Sequence, residues 1–159
     1  VSQTFTQMNL LDQSNLILFS EQHEAHFRSA FEIYKDNKLT GIGVNQFRNK
    51  CSEFKYNFGK ELTCSTHPHN TYLQLLAELG LLGSILIILI FLACLVRFQF
   101  LLLKDKKSSD SKIIIYETFL IISILISLWP LFPTLNFFNN YINVIYFLPI
   151  GFYLAIIKK

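Results

Sequence analysis

Leu79–Leu103 reads LGLLGSILIILIFLACLVRFQFLLL, 25 residues of which only Gly80, Gly83, Ser84, Arg97 and Gln99 are not apolar. A helix needs about 20 apolar residues to cross the hydrocarbon core of a bilayer. This stretch therefore decides the fold class, an all-α integral membrane protein. Two further runs follow it. Ile113–Phe132 holds 20 residues, includes Glu117, Thr118 and two Ser, and ends in the Pro130/Pro133 pair. Tyr141–Ile157 holds 17, is broken by Pro149 and Gly151, and spans if it begins near Phe137. The pattern predicts a helical extracytoplasmic loop followed by three transmembrane helices.

The basic residues orient these spans. The connector 104–112 (KDKKSSDSK) carries four Lys and the chain closes on Lys158-Lys159, whereas the connector 133–140 (PTLNFFNN) carries none. Cytoplasmic connectors are enriched in Lys and Arg, so 104–112 and the 158–159 tail are expected in the cytoplasm. The 133–140 turn and residues 1–78 then lie on the opposite side. Charge divides the same way: residues 1–78 sum to −1 and hold all four His, while residues 79–159 sum to +4. With 52% hydrophobic residues and three Cys in 159 residues, the chain is no water-soluble globule, disordered segment or disulfide-dense mini-protein. No basic stripe is interleaved with exposed aromatics, so no nucleic-acid partner is expected. Because residues 1–78 begin outside the membrane without a preceding span, the sequence reads as the C-terminal part of a longer multi-span protein.

Two charges fall inside predicted spans. Arg97 precedes Lys104 by seven residues and Glu117 follows Lys112 by five, about 8–10 Å from the cytoplasmic end at 1.5 Å per residue. They fit a proton or ion pathway, but the favoured reading is an ion pair or a snorkelling arginine.

In the polar segment, residues 21–38 (EQHEAHFRSAFEIYKDNK) carry Phe27, Ala30, Phe31 and Tyr34 at helical spacing, and Gly41-Ile42-Gly43 breaks the pattern as a turn. Val44–Tyr56 is ambiguous, with Phe47, Cys51 and Phe54 available to line one helical face. Cys51 and Cys64 are either free thiols or a bridge worth about 3 kcal/mol in an oxidising compartment. Cys94 reads as a small apolar residue within a span.

The densest motif is 64–83, CSTHPHNTYLQLLAELGLLG. Pro68 favours an extended stretch, Thr71-x-x-Gln74 resembles a capping box, and an unbroken apolar helix is expected from there into the first span. His69 and Asn70 then sit at a helix N-terminus, whose free N–H groups favour an anion. The same positive end keeps a histidine neutral and available as a base. Gly80-x-x-Gly83 permits a close helix neighbour. His67-Pro68-His69 fits three roles: two interfacial histidines, one base with a supporting neighbour, or a zinc pair completed by His23, His26 or Glu78.

The stretch His67–Gly83 resembles the signature of the O-antigen ligase and O-antigen polymerase superfamily: a His, then Asn, Ser or Gln, nine residues, and Gly-x-x-Gly. Here these are His69, Asn70, Thr71–Leu79, Gly80 and Gly83. The upstream FRSAFEIYKDNKLTGIGVNQF is similar to the superfamily's amphipathic helix and Gly-x-Gly-x-x-x-Phe turn. The resemblance implies a multi-pass glycosyltransferase of the bacterial inner membrane, with residues 1–78 as its periplasmic loop. It implies transfer of a glycan from an undecaprenyl-diphosphate carrier to an acceptor hydroxyl without nucleotide sugar, metal or other cofactor. The acceptor is lipid A-core in ligases, another glycan repeat in polymerases and a Ser/Thr side chain in some relatives. The remaining partners are membrane lipids. Carried onto this chain, the resemblance makes His69 the base and Arg28, then Arg48, the clamp on the diphosphate. His67, Asn70 and Glu78 become substrate-side residues, and Gly80 and Gly83 structural ones. The family's loop arginine precedes an aromatic at the start of the upstream helix. Around His23 this chain has none, which leaves three readings: Arg28 replaces it, the clamp comes from the part of the protein that precedes this stretch, or the activity differs. The three spans alone cannot enclose a lipid-linked substrate, so this stretch of chain is expected to be inactive by itself. A zinc hydrolase and a non-enzymatic transporter subunit are the readings from other classes.

Overall fold

The computed structural model describes residues 20–58, 64–103 and 111–158, and the regular elements among them are α-helices: α1 Glu21–Asp36, α2 Phe47–Lys50, α3 Phe54–Asn57, α4 Thr71–Leu103, α5 Ser111–Ser127 and α6 Asn140–Ile157. Residues 1–19 of the expected loop, the lysine-rich 104–110 and Lys159 lie outside the described residues. The chain forms two compact units. Described residues up to Ser84, joined by Phe132–Phe137, make the first; Ile85–Leu131 and the chain from Phe138 make the second.

In the first unit α1 starts where Ser20 caps it, its hydroxyl accepting from His23 N, with Glu21 and Glu24 in the first turn and Lys35 in the last. The buried face is His26, Ser29, Ala30 and Ile33; of the expected Phe27, Ala30, Phe31 and Tyr34, Ala30 is buried and the three aromatics are not. Phe31 is half exposed, tilted against Tyr34 at 6.2 Å with the Lys35 ammonium over its ring. A surface aromatic cluster can copy core spacing, and here it does. Ala30, Ile33, Phe47, Cys51, Tyr56 and Ala77 form the core, with Ile42, Cys64 and Leu73 packed against it. Val44–Tyr56 becomes two single-turn helices. Phe47 and Cys51 point inward, but Phe54 is 84% exposed and Tyr56 takes its expected place. The Tyr56 hydroxyl donates to Asp36 at 2.8 Å, which places this ring by its polar tip as well as its apolar body.

The helix expected to run unbroken into the first span is interrupted at Gly80, whose φ of 67° and ψ of −166° are not helical. The loop 38–43 explains the break. In a continuous helix Leu81 and Leu82 would donate to the carbonyls of Ala77 and Glu78. Instead Leu81 N donates to Lys38 O (2.7 Å) and Leu82 N to Leu39 O (3.2 Å). The vacated carbonyls of Ala77 and Glu78 accept from Ile42 N (3.0 Å) and Gly43 N (2.8 Å). Two helical bonds are exchanged for four to the loop, so the kink leaves no backbone group orphaned there. Gly41, with φ of 65°, lies against Gly80: a Cβ on either would overlap backbone of the other. The expected close neighbour of Gly80-x-x-Gly83 is thus this loop rather than a helix. At Gly83 a Cβ would meet the Leu79 side chain.

In the second unit α5 and α6 pack on each other. α4 and α6 are long and apolar enough to cross a membrane. Along α6 the side chains of Val144, Ile145, Leu148, Phe152 and Leu154 are exposed, as lipid-facing residues would be. α5 stops at Ser127, short of the predicted Phe132, because Pro130 and Pro133 cannot continue a helix. Asn139 caps α6, its side chain accepting from Tyr141 N at 3.0 Å. Arg97 Nε donates to Glu117 Oε1 at 2.7 Å, so these two charges form an ion pair.

Candidate active site

The site is built on the N-terminus of α4. Asn70 is its cap: the Oδ1 atom accepts from Tyr72 N and Leu73 N, each at 3.1 Å, and the Asn70 carbonyl accepts from Gln74 N. This corrects the expected Thr71-x-x-Gln74 capping box. The Thr71 hydroxyl instead donates to Thr134 Oγ1 at 3.0 Å, and the Gln74 amide reaches Glu78 and Asn136. His69, one residue before the cap, has φ of 57°. That left-handed conformation costs a residue with a Cβ roughly 1–2 kcal/mol and is most readily taken by Gly or Asn. Its ring Nε2 pairs with Ser65 Oγ at 3.2 Å.

All four histidines converge on this point. The His69 ring lies 4.1 Å from His67, 5.2 Å from His23 and 5.3 Å from His26, centroid to centroid. His23 and His26 reach it together because they are three residues apart on α1 and share a face. Burial, and after it the neighbouring His23, hold the His69 imidazole below the ordinary histidine range. Burial, then His69, push His67 down to about 4. Both imidazoles are thus neutral near pH 7. Desolvation and mutual proximity supply that effect, where the sequence had credited the helix end. Among the described residues no three His, Cys, Asp or Glu are arranged to hold a metal ion.

A strap from far along the chain completes the site. In the 133–137 connector, Thr134 N donates to His69 O at 2.8 Å, and His67 Nε2 lies 3.3 Å from Thr134 O. Asn136 Oδ1 accepts from Gln74 Nε2 at 2.7 Å, its own amide donates to Asn45 Oδ1 at 3.3 Å, and Phe137 N donates to Gln74 Oε1 at 2.9 Å. None of these strap residues was a sequence candidate. The available signal is four polar side chains (Thr134, Asn136, Asn139, Asn140) in a connector of eight residues.

Glu78 lies beneath the site, two residues before the Gly80 break. It is fully buried, with Oε1 accepting from Phe47 N at 2.9 Å and Oε2 from Gln74 Nε2 at 3.1 Å. Burial raises its pKa against these donors, the Asn45 N–H and the Arg48 charge. Glu78→Ala would strand the Phe47 N–H and one Gln74 donor. It is expected to lower stability by about 1–3 kcal/mol, seen as a lower thermal midpoint of the detergent-solubilised protein. Glu78→Gln, which keeps an acceptor for Phe47 N, should lose less.

The two arginines part company. Arg28 is exposed and follows His26 by two positions, about 200° around the helix, and its guanidinium stacks on the Phe58 ring at 4.2 Å. Arg48, also exposed, is close enough for its charge to act on both His67 and Glu78. Cys51 and Cys64 are joined by a disulfide. The bridge ties the residue just before Ser65–Asn70 to the end of α2.

Residues 20–88 match the family model described as O-antigen ligase, a stretch that takes in α1 to α3, the His-Asn cap and the Gly80 break. This match supports the O-antigen ligase and polymerase superfamily, whose members are of membrane glycosyltransferase type. No curated protein and no solved structure matches the chain.

Proposed function

We propose that the protein is an O-antigen ligase-like glycosyltransferase of the bacterial inner membrane. It moves a glycan from an undecaprenyl-diphosphate carrier to an acceptor hydroxyl, that of lipid A-core, on the periplasmic face. The observation that carries this reading is a neutral, half-buried His69 held before a capped helix N-terminus inside the matched domain. In the proposed step, His69 takes the proton of the acceptor hydroxyl as that oxygen attacks the anomeric carbon. The bond from the anomeric carbon to the diphosphate oxygen breaks, and the diphosphate leaves with the electron pair. The leaving group needs charge stabilisation more than an acid. Arg48 is the better-supported clamp, since its charge already reaches the site, while Arg28 is turned onto Phe58. A polymerase would run the same chemistry with a second glycan as acceptor.

Three crossings are part of the proposal. The chain leaves the first unit after Ser84 and rejoins it at Phe132. A chain that crosses once in α4 must cross back before the strap can contact His67 and His69. That requirement supports α5 as a span. Its 17 residues cover about 26 Å at 1.5 Å each, and Leu128–Phe132 add the rest. α6 then makes the third crossing, and residues 20–78 and 133–137 share one side.

The test follows from the His69 environment. A base whose pKa is lowered stays neutral, and active, to lower pH than an ordinary histidine. The kcat/KM of glycan transfer by the full-length protein in membrane vesicles is expected to fall on the acid side with its midpoint below pH 6.5. An acid limb centred at or above pH 6.5 would contradict His69 as the base.

A further inference from the structure

Thr134 makes three contacts to three residues of the site, although it stands more than sixty residues further along the chain and outside the matched family domain. The chemistry of one contact fixes a proton. A carbonyl oxygen can only accept, so the His67 Nε2 that lies 3.3 Å from Thr134 O must carry the hydrogen. In a neutral ring Nδ1 then has the lone pair, and Thr66 Oγ1, at 2.9 Å, donates to it. Both nitrogens of His67 are committed to protein partners. His67 is therefore a strut, its ring packed against His69 at 4.1 Å. The second contact acts on His69 itself: Thr134 N–H binds the carbonyl of the residue with φ of 57°. A strained backbone persists only where surrounding contacts over-determine it. Asn70 fixes the C-terminal side of this residue through the helix cap, and Thr134 fixes its carbonyl. The third contact, the Thr71 hydroxyl on Thr134 Oγ1, seats the strap on the first turn of α4.

We propose that Thr134 is a positioning residue: its backbone locks His67 as the Nε2–H tautomer and holds His69 in the left-handed conformation that aims its imidazole at the acceptor. This inference rests on the transferase reading and extends it to the connector between the last two helices. It divides the histidine pair into one base and one fixed spacer. The groups facing His67 and His69 are His23 and His26 from α1, Arg48 from α2 and the strap carbonyl. The Ser65 and Thr66 hydroxyls also reach ring nitrogens, but a hydroxyl can donate or accept, whereas the strap carbonyl can only accept.

The test uses the full-length protein in its membrane with three variants. Thr134→Pro deletes the N–H that binds His69 while keeping an extended backbone after Pro133. Thr134→Val deletes only the hydroxyl, and Thr134→Ser restores it. Thr134→Pro is expected to lower kcat about 100-fold, the scale of a small misplacement of a catalytic group, with KM for the lipid-linked donor within about threefold. Thr134→Ser should retain nearly full activity and Thr134→Val should lose less than about tenfold, the worth of one hydrogen bond. Independently, nitrogen-15 spectra of histidine-labelled wild-type protein should show His67 as Nε2–H, assigned by its loss in His67→Asn. Wild-type kcat in Thr134→Pro would overturn the proposal, as would a His67 that carries its proton on Nδ1. If Thr134→Pro does not accumulate in the membrane, the tautomer measurement alone decides. Absence of glycan transfer by the wild-type protein would sink the transferase reading, and transfer that survives His69→Asn would overturn His69 as its base; the spectra would still judge Thr134.

Discussion

Replacing His69 by Asn in the full-length protein is expected to abolish glycan transfer while leaving the protein folded and in the membrane. The choice of Asn follows from the backbone. With φ of 57°, position 69 penalises Ala and most other residues by about 1–2 kcal/mol, whereas Asn enters this region readily. The contacts that build the site survive the change, because Thr134 N binds the carbonyl of residue 69 and Asn70 caps α4 with its own side chain. Only the imidazole is lost, with its Ser65 partner and its place among His23, His26 and His67. A carboxamide cannot take a proton from a hydroxyl near pH 7. Loss of a general base lowers rate by roughly 10²–10⁴, enough to erase polymer ladders on a lipopolysaccharide gel. Near-normal ladders at unchanged membrane abundance would end the assignment of His69 as base. His69→Ala is the weaker test, since it mixes lost chemistry with backbone strain.

Several parts of this arrangement are legible in the sequence because their causes are local. The apolar lengths of α4 and α6 need only counting, and the helix start at residue 71 follows from Asn70 and the residues beside it. Even there the cap was assigned one residue late, since both Asn70 and Thr71 are good caps and only a distant partner separates them: Thr134 takes the Thr71 hydroxyl. Aromatic spacing points to the wrong face of α1 for a related reason. Its buried side carries His26 and Ser29, polar residues placed there by the histidine cluster and close packing, while Phe31 stays at the surface. The strap could not be found at all from spacing. Thr134 and Asn136 have meaning only through His67, His69 and Gln74, sixty residues earlier. The histidines illustrate both sides. Their number and the His-x-His pair drew notice, but the meeting of α1 with the α4 cap is tertiary information.

The Gly80 break yields the largest expected effect on stability. Gly80→Ala places a Cβ against the backbone of Leu39 and Gly41, and Gly41→Ala places one against the backbone of Glu78 and Gly80. Neither neighbour is a flexible side chain that can swing away. Each substitution also meets a positive φ, 67° at Gly80 and 65° at Gly41, costing roughly 1–2 kcal/mol before any overlap. Overlap adds about 1–3 kcal/mol, and the shift that relieves it pulls apart the four bonds joining residues 38–43 to residues 77–82. Each variant is expected to lose about 3 kcal/mol or more, visible as a sharp fall in membrane abundance and thermal midpoint. Gly83→Ala carries no positive-φ cost, but its new methyl would overlap Leu79 Cβ, which side-chain rotation does not move, so it is expected to lose about 1–3 kcal/mol, less than either of the other two. Because Gly41 and Gly80 share one contact, the double variant should lose markedly less than the two single losses combined. Additive losses would mean that the two glycines act independently. The loop would then not be what bends the helix, and the Gly-x-Gly turn and Gly-x-x-Gly would have to be explained apart rather than as two halves of one joint.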